Sequence, residues 1–165
     1  MTPDVSEERK ADPGEPARRL LGAMRQAEPG VRVRGSTESA ITSAEESLGA
    51  RFPAVYRALL LEVGHHPGAF MRGSDFARPE ELAEFRADAI ELLEEWGVPA
   101  ATFPERAVVF CLHQGYNLLY FLPDDGFDVA VFSCAEGGTA PERAYGSFRE
   151  LCDEWVELFR RQARR

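Results

Sequence analysis

The stretch Val108–Phe132 constrains the fold more than any other part of the chain. It reads VVFCLHQGYNLLYFLPDDGFDVAVF, which is three apolar, β-prone runs separated by two turn signals. The first turn, HQG, begins at His113. The second, PDDG, begins at Pro123, where Pro presets φ, Asp hydrogen-bonds locally and Gly accepts a positive φ. The stretch predicts an antiparallel meander over residues 107–132, with one face packed and the other partly exposed to water.

Amphipathic helices are predicted on both sides of this meander. They cover residues 17–28, 36–48, 52–63 and 79–96, and a last one begins at residue 147. Gly49 stands where a left-handed C-terminal residue belongs, and Pro53 is expected at the first position of the third helix. Ser147 and Glu150 have the spacing of a capping box. We expect an α+β fold in which helices flank a central antiparallel or mixed sheet.

The remaining segments are predicted to be irregular or only weakly structured. Val31–Arg34 suits a short edge strand, and residues 133–142, with two adjacent glycines, suit a loop. Residues 1–16 are charged and contain three prolines, which predicts a disordered N-terminal tail. Residues 17–162 then form a single domain, since 165 residues suit one hydrophobic core.

Cysteine usage and hydropathy favour a cytoplasmic protein. No apolar run approaches the roughly 20 residues that a membrane span requires, and the N-terminus lacks the apolar centre of a signal peptide. The cysteines are odd in number and widely spaced: Cys111, Cys134 and Cys152. We expect them to be reduced, buried thiols.

The charge distribution bears on the choice of partner. The net charge is −9, and four of the 19 basic residues lie in the last six positions. The chain before residue 160 therefore carries 28 acids against 15 bases, a net charge of −13. Such a balance disfavours direct contact with nucleic acid, where binding depends on neutralising phosphates. It is compatible with a basic protein partner, although solubility alone also accounts for it.

No motif of catalysis or of metal binding stands out in the sequence. Cys111 and His113 alternate along one predicted strand, but the paired spacings of a zinc site are missing and no third group orients a catalytic pair. His65 and His66 are adjacent and have no third ligand at a recognisable spacing. We therefore predict no catalytic residues, no metal and no cofactor.

The candidate binding residues cluster around the turns of the meander. Asp124, Asp125 and Asp128 surround the second turn, where they serve either as turn formers or as an acidic patch for a basic partner. Tyr116 suits either core packing or an interface, since aromatic residues dominate binding hot spots. Glu136 completes this set of candidate partner-binding residues.

Several motifs, in order, resemble the SMI1/KNR4 (SUKH) superfamily. Residues 45–64 read EESLGARFPAVYRALLLEVG, which is similar to that family's acidic helix, Leu-Gly, Leu/Phe-Pro-x-x-Tyr step and apolar helix ending near Gly. HQGY from residue 113, LYF from residue 119 and SFREL from residue 147 also resemble family segments. The likeness covers about residues 36–160. It departs from the family at residues 63–66, VGHH, where the family often has Asn-Gly or Gly-Gly.

The resemblance implies a binding protein of α+β fold. Bacterial members are associated with immunity to polymorphic toxins, often nucleases, which they bind and block without catalysis, whereas a eukaryotic branch includes regulators of cell-wall synthesis. The implied function is non-enzymatic neutralisation of a cognate toxin by direct binding. A regulatory or scaffold module that binds an endogenous protein is the alternative. The sequence specifies no oligomeric state.

Overall fold

A five-stranded antiparallel sheet forms the centre of the computed structural model, which describes residues 11–165. The strands lie side by side in chain order: β1 (Asp75–Phe76), β2 (Val108–His113), β3 (Asn117–Phe121), β4 (Val131–Ala135) and β5 (Glu142–Tyr145). The helices are α1 (Glu15–Ala27), α2 (Glu38–Leu48), α3 (Ala54–Val63), α4 (Leu82–Glu95) and α5 (Phe148–Ala163). The predicted α+β fold with a central antiparallel sheet is confirmed.

Aromatic side chains fill the space between one face of the sheet and helices α3 and α5. Tyr56 of α3 stacks on Phe148 of α5, with ring centroids 4.9 Å apart, and meets Phe121 of β3 edge-on at 4.7 Å. Phe110 of β2 completes the cluster, 5.1 Å from Phe148. Helix α1 packs on α3 and α5 from outside. Among the described residues, every fully buried side chain is apolar or aromatic, so burial of apolar surface is the main stabilising contribution.

The other face of the sheet is better covered than the sequence predicted. Helix α4 packs along β2, and Tyr120 of β3 lies under Phe103 with ring centroids 4.9 Å apart. The guanidinium of Arg86 lies 5.5 Å from the centre of the Phe103 ring and donates to the backbone oxygens of Pro104 and Ala107. The connector after α4 is thereby fixed on the sheet.

The predicted turn and cap residues lie close to their expected places. Gln114 and Gly115 have φ of 49° and 76°, the positive values of a type I′ turn, and Tyr116 N donates to His113 O at 3.1 Å to close it; His113 pairs with Asn117 across this three-residue loop. Gly49 has a left-handed φ of 60°, and Ser147 Oγ accepts from Glu150 N at 3.1 Å. One prediction is wrong by one position: Pro53 is the N-cap of α3, and the helix begins at Ala54.

The third strand of the meander begins later than predicted. Residues 127–130 are not strand, and β4 runs from Val131 to Ala135. The reason is that this part of the chain supplies hydrogen-bond acceptors to the first turns of two helices, α3 and α5. The carbonyls of Gly126 and Phe127 accept from Ala54 N and Val55 N at the start of α3, so the chain leaves the ladder to satisfy helix donors that would otherwise have no partner.

Strands β1 and β5 lie in segments that the sequence analysis did not assign to the sheet. The predicted loop over residues 133–142 contains the end of β4 and the start of β5, whose register pairs Val131 with Tyr145. The predicted edge strand Val31–Arg34 is wrong, because Arg34 forms only an isolated bridge with His66.

The N-terminal prediction is only partly covered by the structure. Residues 1–10 of the predicted tail lie outside the described residues. Helix α1 begins at Glu15, two residues earlier than predicted, with Pro16 in its first turn where its missing N–H costs nothing. The boundary of the domain therefore stays a prediction. Within residues 11–165, no helix combines the length and the apolar character that crossing a bilayer requires.

Candidate functional site

The turn between β3 and β4 carries two aspartates, Asp124 and Asp125, whose charge is largely uncommitted. Between β3 and β4, Asp124 Oδ1 accepts from Gly126 N at 2.7 Å, which closes the turn. Asp125 is exposed and makes no hydrogen bond or ion pair with any described residue. Both carboxylates therefore point their charge toward solvent at one end of the sheet.

Two exposed apolar side chains flank this turn. Leu122 is 42% exposed and Phe127 is 39% exposed, and they are among the few large apolar residues on the described surface. Exposed apolar and charged side chains therefore share one surface at this end of the sheet. We call Leu122, Asp124, Asp125 and Phe127 the acidic turn.

A cleft of about 670 Å³ separates the acidic turn from the end of α2. Glu46, Arg51 and Arg106 line it together with Asp124 and Asp125. Glu45 also borders the cleft but is committed to the fold: its carboxylate accepts from Phe52 N at 2.9 Å and pairs with Arg57 at 3.2 Å. The cleft offers a concave, charged surface large enough for a loop of a partner.

Asp128 does not belong to this patch. It is half-buried, and its carboxylate accepts from three backbone N–H groups: Val129 at 2.8 Å, Phe148 at 2.9 Å and Arg149 at 3.2 Å. Two of these donors open α5, so Asp128 works beside Ser147 as a helix cap. A charge reversal at Asp128 would therefore damage the fold.

Tyr116 and Glu136 lie at the opposite end of the sheet from the acidic turn. They are joined to each other, because Glu136 N donates to the carbonyl of Tyr116 at 2.8 Å. The five residues of β3 separate them from Asp124, a length of about 17 Å at the usual rise per residue. The five sequence candidates therefore divide between two places, and no single patch contains them all.

A hydrogen-bonded chain that the sequence did not reveal lies beside Tyr116. Ser74 Oγ is 2.6 Å from His113 Nδ1, and His113 Nε2 is 2.5 Å from the Tyr116 hydroxyl. Ser74 and His113 are 39 positions apart in an irregular segment and a strand, so no spacing rule connects them. The three side chains fix one another at the tip of the β2–β3 hairpin.

The buried thiols do not form a nucleophilic site. Burial raises the pKa of the Cys111 thiol to about 12, which disfavours the thiolate that nucleophilic attack requires. The predicted burial of all three cysteines is confirmed. His66 is occupied locally, since its Nδ1 accepts from Gly68 N at 3.3 Å. Within residues 11–165, no three side chains of the His, Cys, Asp or Glu type are grouped closely enough to hold a metal ion.

The fold and these surfaces define a single α+β domain with a cleft and a charged turn at the end of a meander. The chain belongs to the SMI1/KNR4 family (SUKH-1), whose family model matches residues 35–159. The matched region begins just before α2 and ends within α5, so it contains the whole sheet. That family is known for immunity-type modules, which are generally non-catalytic. No curated protein matches the chain.

Proposed function

We propose that this protein is an immunity protein that neutralises a cognate polymorphic toxin, a nuclease among the candidate activities, by direct binding. Membership of the SMI1/KNR4 family supports a binding module of immunity type. We choose the acidic turn as the toxin-binding surface because two uncommitted carboxylates and two exposed apolar side chains lie there beside a cleft. In this proposal the protein acts in the cytoplasm, as a binder and not as an enzyme.

Charge complementarity supports a basic partner. Enzymes that act on nucleic acid present positive surfaces to phosphates, and a net charge of −13 before residue 160 would attract such a surface. Long-range attraction of this kind raises association rates and suppresses wrong partners. Leu122 and Phe127 would then supply the apolar contact that slows dissociation. The protein would occupy the surface that the substrate needs, without itself touching nucleic acid.

Co-expression with a toxin domain encoded by a neighbouring gene tests this proposal. The wild-type chain should restore growth of cells that express the toxin domain. The double variant Asp124→Asn, Asp125→Asn should restore it less well, because it removes two charges and keeps a side-chain oxygen at position 124 that can close the turn. Glu91→Gln on α4 is the matched control, an exposed carboxylate that forms no ion pair with any described residue. Absence of rescue by the wild-type chain would contradict the proposal.

The alternative is a regulatory or scaffold module that binds an endogenous protein through the same acidic turn. A gene neighbourhood without a toxin, together with capture of a housekeeping protein that the Asp124→Asn, Asp125→Asn variant fails to capture, would favour it. The exposed apolar pair Leu122 and Phe127 suits either partner, so the identity of the captured protein decides between the two functions.

A further inference from the structure

A second groove lies between α5 and the sheet. We call it the α5 groove. Its volume is about 380 Å³, at the lower end of the range of small ligand sites. Six of its lining residues supply the polar and apolar groups that a ligand would meet: Asn117, Ser133, Tyr145, Glu154, Trp155 and Leu158.

The charge in this groove is negative and uncompensated. Among the described residues, Glu154 is the only carboxylate on the lining, and no Lys or Arg lies there. The Tyr145 hydroxyl donates to Glu154 Oε2, and this is the one hydrogen bond of the carboxylate with the described residues. Burial, and then Glu154 itself, raise the pKa of Tyr145, so the phenol keeps the proton it donates. One carboxylate oxygen is held in place while the other stays free for a ligand.

Polar groups on the sheet side of the groove also lack partners. The Asn117 side chain makes no hydrogen bond with any described residue, and its Oδ1 is buried. The hydroxyl of Ser133 likewise has no partner among them. The buried Asn117 oxygen is closed to solvent and to a ligand in the groove, whereas the half-buried Ser133 hydroxyl is available to accept from a ligand N–H donor.

The helix side of the groove is apolar and rigid. The half-buried ring of Trp155 is fixed edge-on by Phe70, with centroids 5.6 Å apart, and packs against Phe159 at 5.7 Å. Leu158 is 40% exposed at the same wall. An indole face is the preferred aromatic partner of a cation, and Leu158 suits a methylene chain.

We propose that the α5 groove binds an arginine or lysine side chain presented by a protein partner. The cation would pair with Glu154 and lie against Trp155, and its N–H groups would reach the Ser133 hydroxyl. This inference rests on the proposed binding function and gives a basic partner a second point of contact besides the acidic turn. An anionic ligand is disfavoured, because Glu154 is negative and no Lys or Arg within residues 11–165 lines the groove. The His113 ring on the lining already has both nitrogens engaged by Ser74 and Tyr116.

Titration with N-acetyl-arginine amide, followed by amide NMR, tests the groove without any toxin. We expect a Kd of about 1 mM, as is usual for a ligand of this size, with shifts at Asn117, Ser133 and the Trp155 indole N–H. N-acetyl-citrulline amide has nearly the same shape without the charge, and should bind at least about tenfold more weakly. This NMR experiment is independent of the co-expression experiment. The acidic-turn variant can lose or keep its rescue of growth whether or not the α5 groove binds the arginine amide.

Two variants show whether the arginine amide binds in the α5 groove. Glu154→Gln should weaken binding of the arginine amide at least about tenfold, because the charge-assisted hydrogen bond is lost. Glu91→Gln, on α4, should leave it unchanged. Equal affinity for citrulline, no loss in Glu154→Gln, or shifts confined to other surfaces would overturn the proposal. A micromolar Kd for the free arginine amide would overturn its partner-presented part, because a free small molecule would then suffice as the ligand.

Discussion

The Asp128 carboxylate has a structural role that the nearby Asp125 carboxylate does not have. In sequence it stands close to Asp124 and Asp125 and shares their composition. It lies 20 positions from Phe148 along the chain and yet accepts from that residue's N–H at 2.9 Å. Its role differs from theirs because the tertiary fold brings the first residues of α5 next to it.

Removing the Asp128 carboxylate should destabilise the protein. We expect Asp128→Ala to lower the free energy of unfolding by about 2 kcal/mol, because it uncaps α5 and leaves three backbone donors without a partner. Asp125→Ala, which removes an exposed carboxylate, should change it by less than about 0.5 kcal/mol. Urea unfolding of the two variants makes the comparison, and equal midpoints would refute the capping role.

Tyr56 is the residue of the Phe-Pro-x-x-Tyr step and the centre of the aromatic core. It is fully buried, and its hydroxyl has no hydrogen-bond partner among the described residues. Burial raises the pKa of Tyr56, so the hydroxyl stays protonated in the folded protein. An unpartnered buried hydroxyl opposes folding.

The variant Tyr56→Phe should therefore be as stable as the wild type or more stable, by up to about 1 kcal/mol. Tyr56→Ala, which opens a cavity among Phe110, Phe121 and Phe148, should lose about 3–5 kcal/mol. Thermal and urea unfolding both measure the difference. A loss above about 1 kcal/mol in Tyr56→Phe would mean that the hydroxyl has a partner, such as a bound water.

At the scale of elements, the segment between α1 and α2 touches α3 through a glycine. A Cβ placed on Gly35 would lie 1.7 Å from the carbonyl oxygen of Leu61, and the adjacent Ser36 N donates to Leu60 O at 2.8 Å. The backbone of this segment therefore lies directly against the backbone at the end of α3, and no room remains for a side chain at Gly35.

Gly35→Ala should accordingly destabilise the protein by about 1–3 kcal/mol, the usual range for overpacking. Gly22→Ala is the matched control. Nothing lies within 4 Å of a Cβ at Gly22, which sits inside α1, so this change should stabilise the protein by about 0.5–1 kcal/mol. Calorimetric melting of both variants checks the opposite signs, and a shared sign would contradict the close approach.

The elements that the sequence predicted well are those with local signals. The β2–β3 hairpin followed from HQG at residue 113, and α5 followed from Ser147 and Glu150, because turn and cap chemistry acts over a few residues. Strand β5 was missed because ERAY shows no apolar alternation. It is held by pairing with β4, which no local pattern encodes.

The candidate site was predictable to a similar degree. Asp124 and Asp125 were visible as a turn, and the structure leaves both exposed. The cleft beside them depends on Arg51 and Arg106, which come from segments that only the tertiary fold brings together. The α5 groove was missed for the same reason, since Asn117 and Glu154 belong to a strand and a helix far apart in sequence.

At the scale of the whole molecule, three buried thiols make the free energy of unfolding depend on pH in the alkaline range. The fold raises the pKa of Cys111 and of Cys152 to about 12 and that of Cys134 to about 11, in each case chiefly by burial, from an ordinary 9.0. Below pH 9 the thiols are protonated in both the folded and the unfolded protein. Above pH 9 only the unfolded chain ionises, so stability falls as the pH rises toward 11 and 12.

The expected result is a free energy of unfolding that decreases steadily above about pH 9. Iodoacetamide at about pH 8 should leave the three thiols of the folded protein unmodified and should label all of them in urea. Mass spectrometry counts the labels. Rapid labelling of any thiol in the folded protein would contradict its burial.

The central claim concerns the whole molecule, because the acidic turn is proposed as a binding surface for a basic toxin. Calorimetric titration of the purified chain with a toxin domain encoded by a neighbouring gene tests this most directly. We predict that the wild-type chain and Glu91→Gln bind with the same Kd. Asp124→Asn, Asp125→Asn should bind at least about tenfold more weakly, with a smaller dependence on salt. Wild-type affinity and unchanged salt dependence in that variant would contradict the account.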